Sequence, residues 1–379
     1  MALAVRCEFW KSHRERVAKE SGGMSIKIQL NTDVEILGSA PLEGQRLEEF
    51  LYLGHPAPAS GASPEARFLT RALDFPNVFL ALRTPDGYSR LGATRSLDQG
   101  RAVAVGFFAS SCQGEARQKA FAELVRVAEA WAKEQGAQRI VGPMMMTTWF
   151  PYRARMWQED HSAIGETPRF SWEPQQNPGD ESFWSEAGFE VLETYHTKGL
   201  GDLAGFAKKL RASRDKAEAK GYRPQAFSAL VTDPQSRGEL MRGLYELSME
   251  SFDEAFLFTP IPYAAFEALY VTGLSALKGG SESLQHAYLL KSAEGEPAAF
   301  SFAFVDQGYV VIKTLAVAAK FRGQGLSNAV MSYSCESALA AGVDRMIHAL
   351  VRRGNISETY AGKAEELWEH RYALFAKSL

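Results

Sequence analysis

The sequence predicts an α/β protein built as two tandem units, each a mixed, mostly antiparallel sheet flanked by helices. Three observations carry this. In both halves, strand-like runs separated by short turns are followed by a glycine-bearing loop, a helix, a strand, a helix and a strand, so one order of elements occurs twice. The chain has 379 residues, enough for two or three domains at roughly 100–200 residues each. Hydrophobic residues make up 46% and charged residues 23%, the ordinary mix of a soluble globular protein.

Composition also excludes whole classes of function. Forty-two basic against forty-five acidic residues leave a net charge of −3, so no strong overall field recruits nucleic acid or an anionic membrane. Three cysteines (Cys7, Cys112, Cys335) are too few and too scattered for a disulfide framework. No Cys/His pair has ligand spacing, so no structural zinc or other metal is expected. No apolar run reaches the roughly 18 residues of a membrane helix. The start, MALAVRCEFWKSHRERV, carries charges where a signal peptide has its apolar core. Secreted, membrane-spanning and disordered readings fall away, no membrane partner is expected, and a reducing cytoplasm is the expected compartment.

In chain order, residues 1–30 are charged and without clean period, an extension or a short helix. Val34–Ser39 reads as a short strand, and HPAPASGASP at 55–64 as a loop. Val78–Arg83, Ser89–Arg95 and Arg101–Phe108 are strands of a meander, turning at Pro85–Gly87 and Asp98–Gly100. A helix follows in which Phe121, Leu124, Val125, Ala128 and Trp131 recur at helical spacing, stopped by Gly136. Arg139-Ile-Val-Gly-Pro is a short strand. Asp202–Gly221, helical and charged, reads as the linker between a first unit at 31–200 and a second at 201–379. In the second, GELMRGLYELSMESF and PYAAFEALYVTGLSAL are helices. Strands follow at Gln285–Lys291, Ala298–Val305 and Tyr309–Val317, then a helix at Leu326–Ala341, a strand at Arg345–Val351, a further helix and a last strand, HRYALFAKSL.

The chemistry concentrates in VVIKTLAVAAKFRGQGLSNAVM, residues 310–331. An apolar strand ends at Val317. A short loop holds Arg322-Gly323-Gln324-Gly325-Leu326-Ser327, and a helix begins at once. Glycines let the backbone turn tightly and approach a ligand, and the free amides of the helix start favour an anion there. A pyrophosphate is the natural guest. This stretch resembles motif A of the GNAT acyltransferase superfamily, whose R-x-x-G-x-G or R-x-x-G-x-A loop holds the pyrophosphate of acetyl-coenzyme A. Ser327 stands here where that family has Gly or Ala.

The resemblance implies that Arg322–Ser327 bind the donor's phosphates, and that the main chain of Leu315, Ala316 and Val317 pairs with its pantetheine arm. It also implies a pantetheine contact from Asn355 and a proton donor to the leaving thiolate in Tyr360, which otherwise reads as a core-facing helix residue. For the base, Asp253 and Glu254 lie in the inter-helix loop where the family lines its acceptor pocket, Glu254 being the candidate taken forward; either residue also suits a helix end. Lys313, amid apolar residues, is a further candidate or alternatively faces outward on the strand; the sequence does not pick a base. In the first half, Phe183-Trp-Ser-Glu-Ala-Gly-Phe189 resembles the family's closing F-Y-x-x-x-G-F segment with Trp184 in place of Tyr. The loop Ser111–Arg117 has one glycine and places Glu115 where phosphate would sit, so the first copy reads as degenerate.

The expected activity is therefore N-acyl transfer from acetyl-coenzyme A, or another acyl-coenzyme A, to a small amine by direct transfer in a monomer or homodimer, with no metal. Two alternatives stay open. One is aminoacyl transfer from an aminoacyl-tRNA, motivated by the basic helix with Lys208, Lys209, Arg211, Arg214, Lys216 and Lys220, and by WFPYRARMW at 149–157, which reads as a base-stacking surface or as a domain interface. The other is a non-catalytic ligand-binding protein.

Overall fold

The computed structural model describes residues 34–39, 47–48, 50–51, 75–162, 167–174, 176–228, 234–276, 284–362 and 364–379. The extension at 1–30 and the loop at 55–64 lie outside them. Contacts divide the chain into Met1–Ile140 with Ser378–Leu379, and Val141–Lys377.

In the first unit the strands β1 (Val34–Gly38), β2 (Asn77–Thr84), β3 (Gly87–Leu97) and β4 (Ala102–Ser110) pair in sequence, all antiparallel. This is the expected meander. Helix α1 (Gly114–Glu134) packs on the sheet through the apolar stripe read from its spacing, with Phe121, Leu124, Val125, Ala128 and Trp131 all buried. Strand β5 (Arg139–Gly142) carries the chain out of this unit.

The second unit opens with two very short strands, β6 (Ala154–Arg155) and β7 (His161–Ser162). Helix α2 (Ser182–Glu186) and strand β8 (Glu190–Leu200) follow, then helix α3 (Leu203–Ala219) and strand β9 (Arg223–Ala226). Helices α4 (Pro234–Phe252) and α5 (Tyr263–Ala276) lead to β10 (Tyr288–Lys291), β11 (Pro297–Asp306) and β12 (Tyr309–Val317). Helix α6 (Leu326–Ala340), strand β13 (Arg345–Arg352), the single-turn helix α7 (Glu358–Ala361) and the long strand β14 (Glu366–Ser378) complete the chain. The sheet order is β9-β10-β11-β12-β13-β8-β14, with β6 and β7 paired to β14; only β12 and β13 run parallel.

Two expectations about organisation change here. The boundary falls at 140/141 rather than 200/201, because β8 is hydrogen-bonded between β13 and β14 of the second unit. The segment 202–221 is no linker. Its helix α3 buries Leu203, Phe206, Ala207 and Leu210 against Val310, Ile312, Met331 and Cys335, so its charges occupy only the outer face. Trp184, expected near a vestigial site, is a core residue packed on Phe189 and Phe375. On β14, His370 Nδ1 lies 2.8 Å from Glu173, which also receives Arg155 at 3.5 Å. That buried polar network ties the segment around β6 to the strand.

Candidate active site

The site grows from a break in the parallel pair. Strands β12 and β13 share four pairs, Tyr309↔Arg345 to Ile312↔His348, and then separate. A bulge sits on each strand at that point. On β12, Ala303 faces Ile312 and Phe302 faces Thr314, so Lys313 is the extra residue. On β13 the register against β8 shifts between His348 and Val351, with Leu350 in the left-handed region at φ 55° and its N–H donated to Thr197 Oγ1 at 2.9 Å. A bulge bends its strand and raises the local twist. Two of them facing each other open a V-shaped notch.

Backbone polarity along the open arm follows from the ladder. Ala318 donates its N–H to Ala298 at 2.9 Å. With antiparallel alternation, Ala316 and Thr314 also turn their N–H and C=O toward β11, whereas Val317 and Leu315 turn theirs to the notch. The Val317 carbonyl does face away from β11, since it accepts Ser251 Oγ of α4 at 3.2 Å.

At the end of β12 the loop Arg322–Gly325 runs into α6. Gly323 and Gly325 have φ of 76° and 77°, a conformation that side chains rarely adopt. A Cβ at Gly323 would meet nothing within 4 Å, and one at Gly325 would meet the Ser213 side chain, its Oγ at 3.8 Å. The glycines are there for backbone conformation and an open approach, not for tight packing. The first internal bond of α6 runs from the Ala329 N–H to Gly325 at 3.1 Å, leaving the amides of Leu326, Ser327 and Asn328 without helical acceptors. Free amides, the positive end of a helix and an exposed Arg322 make this loop an anion seat. Gln324 is held by Lys220 Nζ at 3.3 Å and the Tyr222 hydroxyl at 3.2 Å, so a second cation borders the loop.

The other proposed site residues are placed less uniformly. The Tyr360 hydroxyl lies 3.2 Å from Ser327 Oγ, and its ring centroid 6.5 Å from that of His348, so Tyr360 spans from the loop to the notch with its hydroxyl at the loop end. Asn355 is exposed, and its Oδ1 accepts from the Ser357 N–H at 3.0 Å and Ser357 Oγ at 2.8 Å, a local turn before α7. Glu254 is exposed on the turn after α4. The structure therefore gathers Leu315–Val317, Arg322–Ser327 and Tyr360, and sets Asn355 and Glu254 on exposed turns.

Further residues complete the surroundings. His348, at the notch, is pushed down to about 4 by burial, with the charges of His196 and Lys198 acting in the same direction, and its Nδ1 has no hydrogen-bond partner. Trp149 packs edge-on against Phe252, Phe258 and Phe266 and donates Nε1–H to the Thr259 carbonyl at 2.8 Å. The first part of WFPYRARMW thus builds the α4–α5 side of the second unit. A strongly apolar surrounding strand was the signal that marked Lys313, and Arg153 lies within the WFPYRARMW cluster; nothing in the local sequence marks His348.

Residues 241–358 match the model of the Acetyltransferase (GNAT) family. The matched stretch lies within the second unit. A tandem GNAT protein from the clavulanic acid biosynthesis pathway is similar at 14% identity and TM-score 0.50, over 91% of this chain and 98% of that one. A GCN5-related N-acetyltransferase from Sphaerobacter thermophilus is similar at 13% identity and TM-score 0.42, over 80% of each chain. A probable N-acyltransferase from Enterococcus faecalis is similar at 10% identity and TM-score 0.49, over 91% of this chain and 72% of that one. No curated protein matches the sequence. The fold is the one expected, a mixed α/β arrangement with mostly antiparallel pairing and flanking helices, like the tandem GNAT protein. No helix among the described residues is long and apolar enough to cross a membrane.

Proposed function

We propose that this GNAT-domain protein is an N-acyltransferase that takes acetyl-coenzyme A, or a related acyl-coenzyme A, as donor and a small amine as acceptor, by direct transfer. The observation that carries the reading is the notch between β12 and β13 ending in the Arg322–Ser327 anion seat. The loop amides and Arg322 hold the donor's pyrophosphate, with Lys220 adding charge from the side. The outward-turned main chain of Leu315 and Val317 pairs with the amide groups of the pantetheine arm, as a further strand would. That pairing directs the thioester to the notch, where the backbone supplies donors for the carbonyl oxygen as it gains charge. The amine approaches from the side of α4 and α5. The neutral amine attacks the thioester carbonyl, the C–S bond breaks as the tetrahedral intermediate collapses to the amide, and the proton lost from nitrogen passes through solvent to the departing thiolate; no metal is needed.

The alternative of a tRNA donor rested on the basic helix and the WFPYRARMW cluster, whose Trp149 packs into the α4–α5 side of the second unit. In the structure Arg211 and Arg214 both pair with Glu336 of α6, and Arg214 also with Asp215 and Glu218. These pairs leave less of that face for a phosphate backbone, and the acyl-coenzyme A reading stands ahead of it. Isothermal titration with acetyl-coenzyme A tests it. Binding in the micromolar to millimolar range is expected, as for ordinary enzyme substrates, and absence of binding at about 1 mM donor overturns it.

A further inference from the structure

His348 stands where the notch closes. Ile312 and His348 are the last pair of β12 and β13, so a pantetheine arm paired along Leu315 and Val317 runs toward these two residues. The face on which His348 lies follows from the ladder. Side chains alternate along a strand, so His348 shares a face with Met346, and its partner Ile312 with Val310. Met346, Ile312 and Val310 pack in one cluster with Phe206 of α3 and Met331 of α6, and Tyr360 lies against the same cluster. On β11, Ala303 faces Ile312 and belongs to that cluster. Its neighbour Phe302 turns the other way, to Tyr270 of α5, with ring centroids 5.5 Å apart. His348 is therefore on the side of α6, whose first turn is the anion seat, and α5 is on the opposite side, that of the amine.

The imidazole is an interior group with one bond left open. His348 is only 6% exposed. The Tyr360 ring lies 6.5 Å from it, centroid to centroid, but the Tyr360 hydroxyl is engaged by Ser327 Oγ at 3.2 Å. His348 Nδ1 is shielded from water and has no hydrogen-bond partner among the described residues. A polar atom buried without a partner is costly and rare in folded proteins, and a ligand that brings the missing partner offsets that cost. Burial, with the charges of His196 and Lys198 acting in the same direction, pushes the imidazole down to about 4, so the ring stays neutral and can present an N–H at Nδ1. A group that takes the amine's proton belongs on the α5 side. A neutral donor on the α6 side meets the thioester instead.

We infer that His348 donates Nδ1–H to the carbonyl oxygen of the donor's thioester, a side-chain contribution to stabilising that oxygen as it gains charge. This rests on the acyl-transfer reading above and adds a catalytic residue to the same site. No proton leaves the imidazole. Attack moves the C=O electron pair onto oxygen, the hydrogen bond strengthens, and the pair returns to the carbonyl as the C–S bond breaks.

Equilibrium binding to the full chain tests this without an identified acceptor. Calorimetry compares acetyl-coenzyme A with S-ethyl-coenzyme A, a thioether with a methylene in place of the carbonyl. The wild-type chain should prefer the thioester. His348→Leu, similar in bulk and without a polar atom, should reduce that preference by about three- to tenfold, the worth of one hydrogen bond, with affinity for the thioether unchanged. His348→Asn, which sets an amide N–H near the place of Nδ1, should restore most of it. Isotope-edited infrared difference spectra give a second readout: the carbonyl stretch of the bound thioester should lie at lower frequency in the wild type than in His348→Leu. Circular dichroism checks the fold of both variants. Equal affinity of the wild-type chain for the two ligands overturns the role of His348, as does a preference or a carbonyl stretch that is unchanged in His348→Leu. If neither ligand binds, it is the acyl-transfer reading that fails, and the role of His348 falls with it.

Discussion

Ile312 and His348 form the last pair shared by β12 and β13, and everything that makes the notch begins one residue beyond them. On one strand the next residue is the bulged Lys313; on the other, the ladder against β8 loses register until Val351. His348 is caught at this branch point, buried, with a free Nδ1 and only cationic or neutral groups raising the cost of its protonation.

That placement predicts a stability change with pH. The folded His348 has a pKa near 4, below its usual 6.5, so the unfolded chain binds more protons between those values. Stability is therefore retained above pH 6.5 and lost progressively as pH falls from 6.5 toward 4, by about 3 kcal/mol for this one group. His196 and His286, also lowered by burial, act in the same direction. Urea denaturation at pH 7 and pH 4.5 should show a much lower midpoint at the acid value, and His348→Gln should flatten part of that difference. An unchanged slope in the variant would remove His348 from the account.

Lys313 gives the opposite side of the same physics. Its folded pKa of about 8 lies below the usual 10.5, so at pH 7 its charge is present at a cost that the unfolded chain does not bear. Lys313→Met, similar in length and without charge, should stabilise the ligand-free protein by about 1–3 kcal/mol at pH 7. The gain should shrink as pH rises from 8 and vanish above 10.5, where lysine is neutral in both states. Thermal melts at pH 7 and pH 10.5 measure it; a destabilised variant at pH 7 would mean that the ammonium has a partner.

Much of this was legible in the sequence, for local reasons. The meander, helix α1 and the run from β10 to β13 each announce themselves by apolar periodicity between turns, and the Gly323–Gly325 loop by its residues. What was not legible depends on distant pairing. Nothing within Glu190–Leu200 says that this strand lies between β13 and β14. The charges of α3 suggested a linker because a helix with one apolar face looks polar when read along the chain. The bulge at Lys313 exists only in the register against β11. Asn355 matched by order of elements, yet local geometry turned its amide oxygen to Ser357.

Tyr360 should act on donor binding more than on chemistry. Its hydroxyl is bonded to Ser327 at the start of α6, beside the anion seat. Tyr360→Phe is expected to raise KM for the acyl-coenzyme A by about three- to tenfold, the worth of one hydrogen bond, with kcat within about twofold of the wild type. A fall in kcat of a hundredfold with KM unchanged would instead return Tyr360 to the role of proton donor to the thiolate.

Glu254 is predicted to be dispensable. It is exposed on the turn after α4, where a carboxylate is well solvated and little constrained. Glu254→Gln should leave kcat/KM for the amine within about twofold, in line with ordinary surface substitutions. A loss of a hundredfold or more, with donor binding intact, would show that the turn closes over the acceptor and that Glu254 takes its proton.

The two glycine loops should respond unequally to the same change. Gly325 and Gly114 both have positive φ, 77° and 51°, and both open onto space, so an aspartate at either imposes comparable backbone strain. The settings differ in what surrounds them. At Gly325 the added carboxylate would lie against the amides that begin α6 and near Arg322, the very groups proposed to hold pyrophosphate. It would satisfy them from within and repel the ligand. At Gly114 the neighbouring Glu115 already stands at the start of α1, paired with Lys119 at 2.7 Å, and the loop carries no second glycine. Losing two charge-assisted phosphate bonds costs about 3–6 kcal/mol, so Gly325→Asp should weaken acetyl-coenzyme A binding by a hundredfold or more. Gly114→Asp should leave it within about twofold. Calorimetry on both variants, each checked by circular dichroism, decides the matter. If Gly114→Asp abolishes binding while Gly325→Asp retains it, the donor site belongs to the first unit and the assignment is reversed.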